Sequence, residues 1–226
     1  MTNTKRIRIV VAALLVLVMS LALFACHKET QYVEERNYEK RYDNDKFYYV
    51  VGYPDDWSVM YGESGKELAE LNVKNGNQEG YLCAKLFPST EGDVGNVVYT
   101  IYKYDTKSMM NTINDITERL MNEDSDYYLN DVFVEEGRER ASFVFTSPEY
   151  VKENPNHFQF NTAQYRFVRN GEDWRGKFYV SSSNSTWMFV ICVEARETEW
   201  DASYEIFNKM MEDFTFRGYE ASEDKK

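Results

Sequence analysis

Three runs in the C-terminal half, Phe160 to Arg169, Arg175 to Ser182 and Thr186 to Ala195, are dense in aromatic and β-branched residues and separated only by tight turns. The turns, Asn170-Gly171-Glu172-Asp173 and Ser183-Asn184-Ser185, use residue types that reverse the chain within a few positions. Connections that short join antiparallel neighbours, because a parallel pair needs a crossover of about a dozen residues or more. The chain is thereby committed to an antiparallel meander, and whatever else it folds must pack on that sheet.

More strands are expected upstream. Lys46 to Val51 ends at the corner Pro54-Asp55-Asp56-Trp57. Pro54 has no N–H for a ladder, Asp55 and Asp56 suit the turn, and Trp57 returns an anchor to the core. Gly80 to Phe87 alternates, with Leu82, Ala84 and Leu86 on one face, and Asn96 to Tyr104 follows a Gly-containing turn at Glu91 to Gly95. Leu129 to Glu135 and Arg140 to Thr146 read as a further hairpin hinged on Glu136-Gly137.

Two segments carry the helical period instead. In Thr106 to Asn122, Met109, Ile113, Ile116 and Leu120 form one stripe, with Asp105 or Thr106 placed to cap it. In Glu199 to Asp213, Trp200, Tyr204, Phe207, Met211 and Phe214 do the same, with Thr198 as the expected N-cap. A helix with a single apolar face lies on a sheet and shows its other side to water. The pattern predicts an α+β fold: an antiparallel β-sheet sandwich with two amphipathic helices packed on it. Residues 46–218 hold no long linker and no repeat, and read as one domain. Glu63 to Gln78 receives no element.

The ends are of another character. Lys5, Arg6 and Arg8 precede an apolar run from Ile9 to Ala25, the layout of a secretory leader over residues 1–25. The run spans about 25 Å as a helix, less than the ~30 Å of a bilayer core, so a retained transmembrane anchor is the weaker alternative. Leu23-Phe24-Ala25-Cys26 resembles the lipobox of bacterial lipoproteins, with Phe24 standing where a small residue is usual. That resemblance implies a diacylglycerol on the Cys26 thiol and cleavage just before it. Residues 26–45, charged and poor in aliphatic groups, are then expected to be a flexible tether, and 219–226 a disordered tail.

A second resemblance sits at the two ends of the domain. The strand leading to Tyr53-Pro54 and Trp57, and the closing helix followed by Asp213-Phe214-Thr215-Phe216, are similar to the ends of the PsbP-like fold, which is shared with the nuclear import factor Mog. Pro54, Trp57, Phe214 and Phe216 are its markers here. The resemblance implies a central antiparallel sheet with helices on its faces, and a binding or assembly module rather than a particular activity.

Charge narrows the partners. Without the leader, 23 Lys+Arg stand against 38 Asp+Glu, a formal charge of 23 − 38 = −15, which argues against nucleic acid. Membrane affinity is expected through lipid on Cys26 alone. The remaining cysteines, Cys83 and Cys192, lie in apolar runs and are open to two readings, one bridge or two separate buried thiols.

No catalytic set is assembled in the sequence. His27 and His157 are the only histidines, and neither comes with a nucleophile in a Gly-flanked elbow or with zinc-ligand spacing. The acidic groups at Asp43-Asn44-Asp45 and Glu123 to Asp126 do not continue as calcium loops. No metal or other cofactor is expected. Tyr99, Tyr102 and Tyr104 are the candidates for an aromatic binding surface, since tyrosine joins a flat apolar body to a polar tip. The expectation is a non-enzymatic, lipid-anchored binding or assembly module on the extracytoplasmic side of a bacterial envelope membrane. Its expected partner is an envelope or exported protein, or glycan. The alternative is an envelope glycan hydrolase working through paired carboxylates.

Overall fold

Period-two alternation dominates the folded part of the chain, and it builds one large sheet with both faces buried. The computed structural model describes residues 36–45, 48–61, 80–89, 96–105, 112–125, 127–132, 137–151, 159–182 and 187–216. All of these fall in the unit that begins at Arg36. The strands are β1 (Arg41–Asn44), β2 (Tyr49–Gly52), β3 (Trp57–Tyr61), β4 (Gly80–Pro88), β5 (Val97–Asp105), β6 (Val144–Phe145), β7 (Glu149–Val151), β8 (Phe160–Arg169), β9 (Glu172–Ser182), β10 (Trp187–Arg196) and β11 (Thr215–Phe216). The helices are α1 (Ile113–Met121), α2 (Leu129–Val132) and α3 (Trp200–Glu212), with a 3-10 turn at Arg140–Ser142.

The main sheet runs β3-β4-β5-β10-β9-β8-β6, with β7 also pairing β8, and all its described pairings are antiparallel. The β8–β10 meander expected from the sequence lies inside it. Its first reversal is a two-residue turn in which Asn170 (φ 53°) and Gly171 (φ 75°) are both left-handed, the backbone that matches strand twist in tight hairpins. A second sheet, β1-β2-β11, joins the start of the domain to its end.

Alternation sorts the core into two halves. Tyr99, Ile101, Phe189, Ile191 and Val193 point to one face, with Trp57 of β3 in the same half, and meet α3 and the small sheet through Phe207, Met210, Phe214 and Phe216. Tyr102, Val190, Cys192, Phe178, Tyr165 and Phe167 point to the other, where Ile116 and Leu120 of α1, Leu129 of α2 and the rings of Phe143 and Phe145 cover them. Cys83 and Cys192 belong to opposite halves and form no disulfide. Of the two readings left open, separate buried thiols is the observed one.

The Pro-Asp-Asp-Trp corner is a closed turn. Trp57 N–H donates to the Pro54 carbonyl at 3.0 Å, while Lys40 Nζ donates to the carbonyls of Asp55 (3.1 Å) and Trp57 (2.7 Å). Asp55 and Asp56 are exposed. Trp57 is buried with its ring edge-on to Phe207.

Several expectations are corrected. The tether does not run to Asp45: residues 36–45 belong to the domain, with β1 paired to β2 and Asn37 bonded to Asp213. Their composition is poor in aliphatics, but Tyr38 and Tyr42 pack on the core and backbone pairing supplies the rest. The strand expected over Lys46 to Val51 is β2, Tyr49–Gly52, and follows Tyr48 in a left-handed conformation (φ 58°). The described part of the earlier helix begins at Ile113, capped by Thr112 rather than by Asp105, which ends β5. Helix α3 has Glu199, not Thr198, at its N-cap, and no side-chain cap bond.

The hairpin over Leu129 to Thr146 does not form. Leu129–Val132 is helical, Arg140–Ser142 is a 3-10 turn, and among the described residues of this segment only Val144–Phe145 is strand. Gly137 (φ 84°) pairs instead with the β8–β9 turn, Asn170 N–H donating to its carbonyl at 2.9 Å. A β-carbon on Gly137 would stand 1.9 Å from Asn170 Oδ1, so only glycine fits. The leader, Cys26, both histidines, Lys46, Phe47, residues 62–79 and the tail from 217 lie outside the described residues.

Candidate functional site

Two of the three tyrosines expected at a binding surface, Tyr99 and Tyr102, lie in the core. Tyr99 is fully buried and donates its hydroxyl to Met211 Sδ at 3.1 Å. Tyr102 is buried in the other half of the core, because positions 99 and 102 differ by an odd number on a strand. The side chain of Tyr104 lies outside the described part. Of the four fold markers, Trp57, Phe214 and Phe216 are buried, and the Pro54 carbonyl accepts the bond that closes the corner.

The deeply buried carboxylates are bound into the fold. Glu194, on the core side of β10, receives Arg138 Nη2 on one oxygen and the Tyr165 hydroxyl on the other, the latter at 2.5 Å. Tyr165, Gly176 and Glu194 stand in register on β8, β9 and β10. The Tyr165 ring crosses β9 at Gly176, where a β-carbon would lie 2.3 Å from it. Burial, and then the Glu194 charge, hold the Tyr165 hydroxyl well above its ordinary pKa. Asp213 is likewise consumed, accepting N–H groups from Asn37 and Tyr38.

One cleft of about 170 Å³ lies between α1 and β7 over β8. Helix α1 starts with a reciprocal cap: Asp115 N–H donates to Thr112 Oγ1 (3.2 Å), and Thr112 N–H returns to the Asp115 carboxylate (2.7 Å). The bond from Thr112 N–H draws the Asp115 carboxyl below its usual range. With Ile116 and Leu120 turned to the core, Asn114 and Glu118, four apart, share a flank with Thr117 and line the cleft. Pro148, Glu149 and Tyr150 form the opposite wall.

Asn161 is the floor. It is 5% exposed, and its Nδ2 donates to Asn114 Oδ1 (2.7 Å) and Thr117 Oγ1 (3.2 Å). Its Oδ1 is buried with no hydrogen-bond partner. A buried acceptor left unpaired costs about 1–3 kcal/mol, so the cleft is prepared for a donor. Tyr150, 48% exposed, has its hydroxyl oriented by Gln159. Among the described residues no group of three His, Cys, Asp or Glu is gathered to hold a metal.

Sequence reasoning passed over these residues, although one signal existed. Asn161 shares its strand face with Ala163, Tyr165 and Phe167, a polar side chain in an apolar row. Glu194 interrupts the row of Val190 and Cys192 in the same way.

No family model matches the sequence, and no curated protein sequence matches it either. Solved structures do. The fold is similar to cyanobacterial PsbP (CyanoP) from Synechocystis sp. PCC 6803, with TM-score 0.51 and 14% identity over 78% of this chain and 91% of that one. It is also similar to LpqN, involved in cell envelope biogenesis of Mycobacterium tuberculosis, with TM-score 0.47 and 9% identity over 79% and 90%. A protein from Bacteroides thetaiotaomicron VPI-5482 matches with TM-score 0.46 and 13% identity, over 79% of this chain and 48% of that one. The antiparallel sheets, the few helices and the first of these likenesses together show that the described domain has a PsbP-like α+β fold.

Proposed function

We propose that the protein is a lipid-anchored, non-catalytic binding or assembly module of a bacterial cell envelope, holding its PsbP-like domain on the extracytoplasmic side of a membrane. The observation that carries the location is the leader that ends in Leu23-Phe24-Ala25-Cys26. Two acyl chains on Cys26 supply stable attachment. Binding is supported by the α1–β7 cleft, a polar recess with an unmet buried acceptor at its floor. Glu194 and Asp213 are committed to Arg138, Tyr165, Asn37 and Tyr38, so neither serves as one of a hydrolase's paired carboxylates on this reading. The partner on this reading is an envelope or exported protein.

Metabolic labelling with an acyl-chain analogue tests the location. The wild-type chain is expected to incorporate label and Cys26→Ala to lose it; label that persists in the variant overturns the anchor. Crosslinking in intact envelopes followed by pull-down tests the module, which requires a reproducible protein partner.

A further inference from the structure

The cleft between α1 and β7 is rich in acceptors, and its described lining residues include no cation. Asn161 Oδ1 is unpaired at the floor, and the carboxylates of Glu118 and Glu149 stand on opposite walls. Neither glutamate carboxylate has an ion pair or hydrogen bond among the described residues. Tyr150 adds an aromatic ring beside them. A ligand that satisfies such a site must bring several donors and positive charge to few acceptors. A primary ammonium does this with three N–H donors for one amide oxygen and two carboxylates, and an aromatic face adds attraction for a cation.

The setting of the cleft selects what carries the ammonium. Strand β7 pairs only with β8 among the described residues, so the wall of the cleft is also a sheet edge. Three large hydrophobic side chains are exposed in the described part, Tyr48, Val144 and Tyr150, and two of them stand on β6 and β7 along this edge. An extended peptide beside a strand edge draws main-chain hydrogen bonds from it and specificity from pockets for its side chains. The chain's formal net charge of −12 favours a basic partner over an acidic one at long range.

We infer that the α1–β7 cleft is a lysine-binding pocket, in which Asn161, Glu118 and Glu149 receive the ε-ammonium of a basic peptide segment of the partner protein. This rests on the reading of the chain as a protein-binding module and names the chemistry by which it binds.

Calorimetric titration of the full chain in neutral detergent tests it, using a short capped peptide with one central lysine and its Nε-acetylated twin. Saturable binding of the lysine peptide is expected, with loss of at least tenfold in affinity for the acetylated twin and for the exposed double variant Glu118→Gln/Glu149→Gln. Asn161→Ala is expected to weaken binding as well; should that variant fold poorly, the glutamine pair still decides. Equal binding of both peptides overturns the pocket, and so does unchanged binding by the glutamine pair. Binding of glucosamine without binding of the lysine peptide also overturns it, in favour of an amino-sugar site. Acyl labelling of the same preparation separates the two proposals. A labelled chain that ignores the peptide overturns the pocket and leaves the envelope reading standing, whereas an unlabelled chain that binds it does the reverse.

Discussion

The carboxylate of Asp213 accepts the backbone N–H of Tyr38 at 2.9 Å, across 175 residues of chain. Its other oxygen accepts the backbone N–H of Asn37 at 3.0 Å and the Asn37 side-chain amide at 3.1 Å. Asp213 is the last residue before Phe214-Thr215-Phe216, so this clamp holds the entry of the domain against its exit. Gly52 makes room for it, since a β-carbon there would lie 2.3 Å from Asp213 Oδ2.

Asp213→Ala removes the acceptor of three N–H groups in a buried place, and it is expected to cost about 2–4 kcal/mol of stability. Asn37→Ala, which spares the backbone donors, is expected to cost less. The two changes combined should fall short of additivity, because they act on one network. Urea denaturation of the single and double variants reads both quantities.

Gly176→Ala places a methyl group on the Tyr165 ring and moves the hydroxyl from Glu194. Overpacking of this kind costs about 1–3 kcal/mol, and more if the bond is lost. Paired with Tyr165→Phe, the alanine change should lose the part of its effect that comes from the broken bond. Full additivity in the double variant would count against the coupling.

Arg138 and Glu194 form a buried pair, with side chains 3% and 2% exposed. Arg138→Met strands a buried carboxylate and is expected to destabilise by about 3–5 kcal/mol. Replacing both, as Arg138→Met with Glu194→Gln, should recover much of that loss, since no unpaired charge then remains. Thermal denaturation compared between the two variants checks the order.

Tyr179 gives the opposite sign. Its hydroxyl is buried in the core without a hydrogen-bond partner, although Lys177 lies over the ring. Tyr179→Phe is expected to leave stability unchanged or raise it by up to about 1 kcal/mol. A clear loss would mean that the hydroxyl finds a partner in solution.

Alkaline pH should unfold the domain cooperatively. Burial is the leading cause that raises the pKa of Tyr49, Tyr99, Tyr165 and Tyr179 above the ordinary value near 10. In the folded state these groups stay neutral where the unfolded chain has ionised. The stability they preserve is therefore complete below about pH 10 and is lost as pH rises beyond it, by about 1.4 kcal/mol per pH unit for each tyrosine. Tyrosinate absorbance should rise in one step together with loss of the circular dichroism of the sheet. Gradual ionisation of these rings with the sheet intact would contradict their burial.

Much of the sheet was legible because alternation and turn chemistry are local. The runs at Phe160, Arg175 and Thr186 became β8 to β10, and Asn170-Gly171 turned between the first two with both residues left-handed. The segment Leu129 to Thr146 misled for the same local reason. Its β-branched and aromatic residues favour strand, but Leu129, Phe143 and Phe145 are needed as a cover for the second face of the sheet, and helix, turn and the two-residue β6 place them there. The cleft was harder still. Asn161 is one polar position in an apolar row, and what makes it a site is its meeting with Asn114, Thr117 and Tyr150 from two other elements.

By itself the sequence determined the α+β class, the antiparallel meander, the amphipathic faces of α1 and α3 and the Pro54–Trp57 corner. Each of these follows from neighbouring residues through periodicity or backbone restriction. Only the tertiary structure decided that Tyr99 and Tyr102 are core, that the domain begins at Arg36, and that Glu194 and Asp213 are fold clamps. The physical reason is common to all three. Burial and pairing are set by what arrives from distant parts of the chain: Met211 over Tyr99, Arg138 and Tyr165 at Glu194, and Asn37 at Asp213.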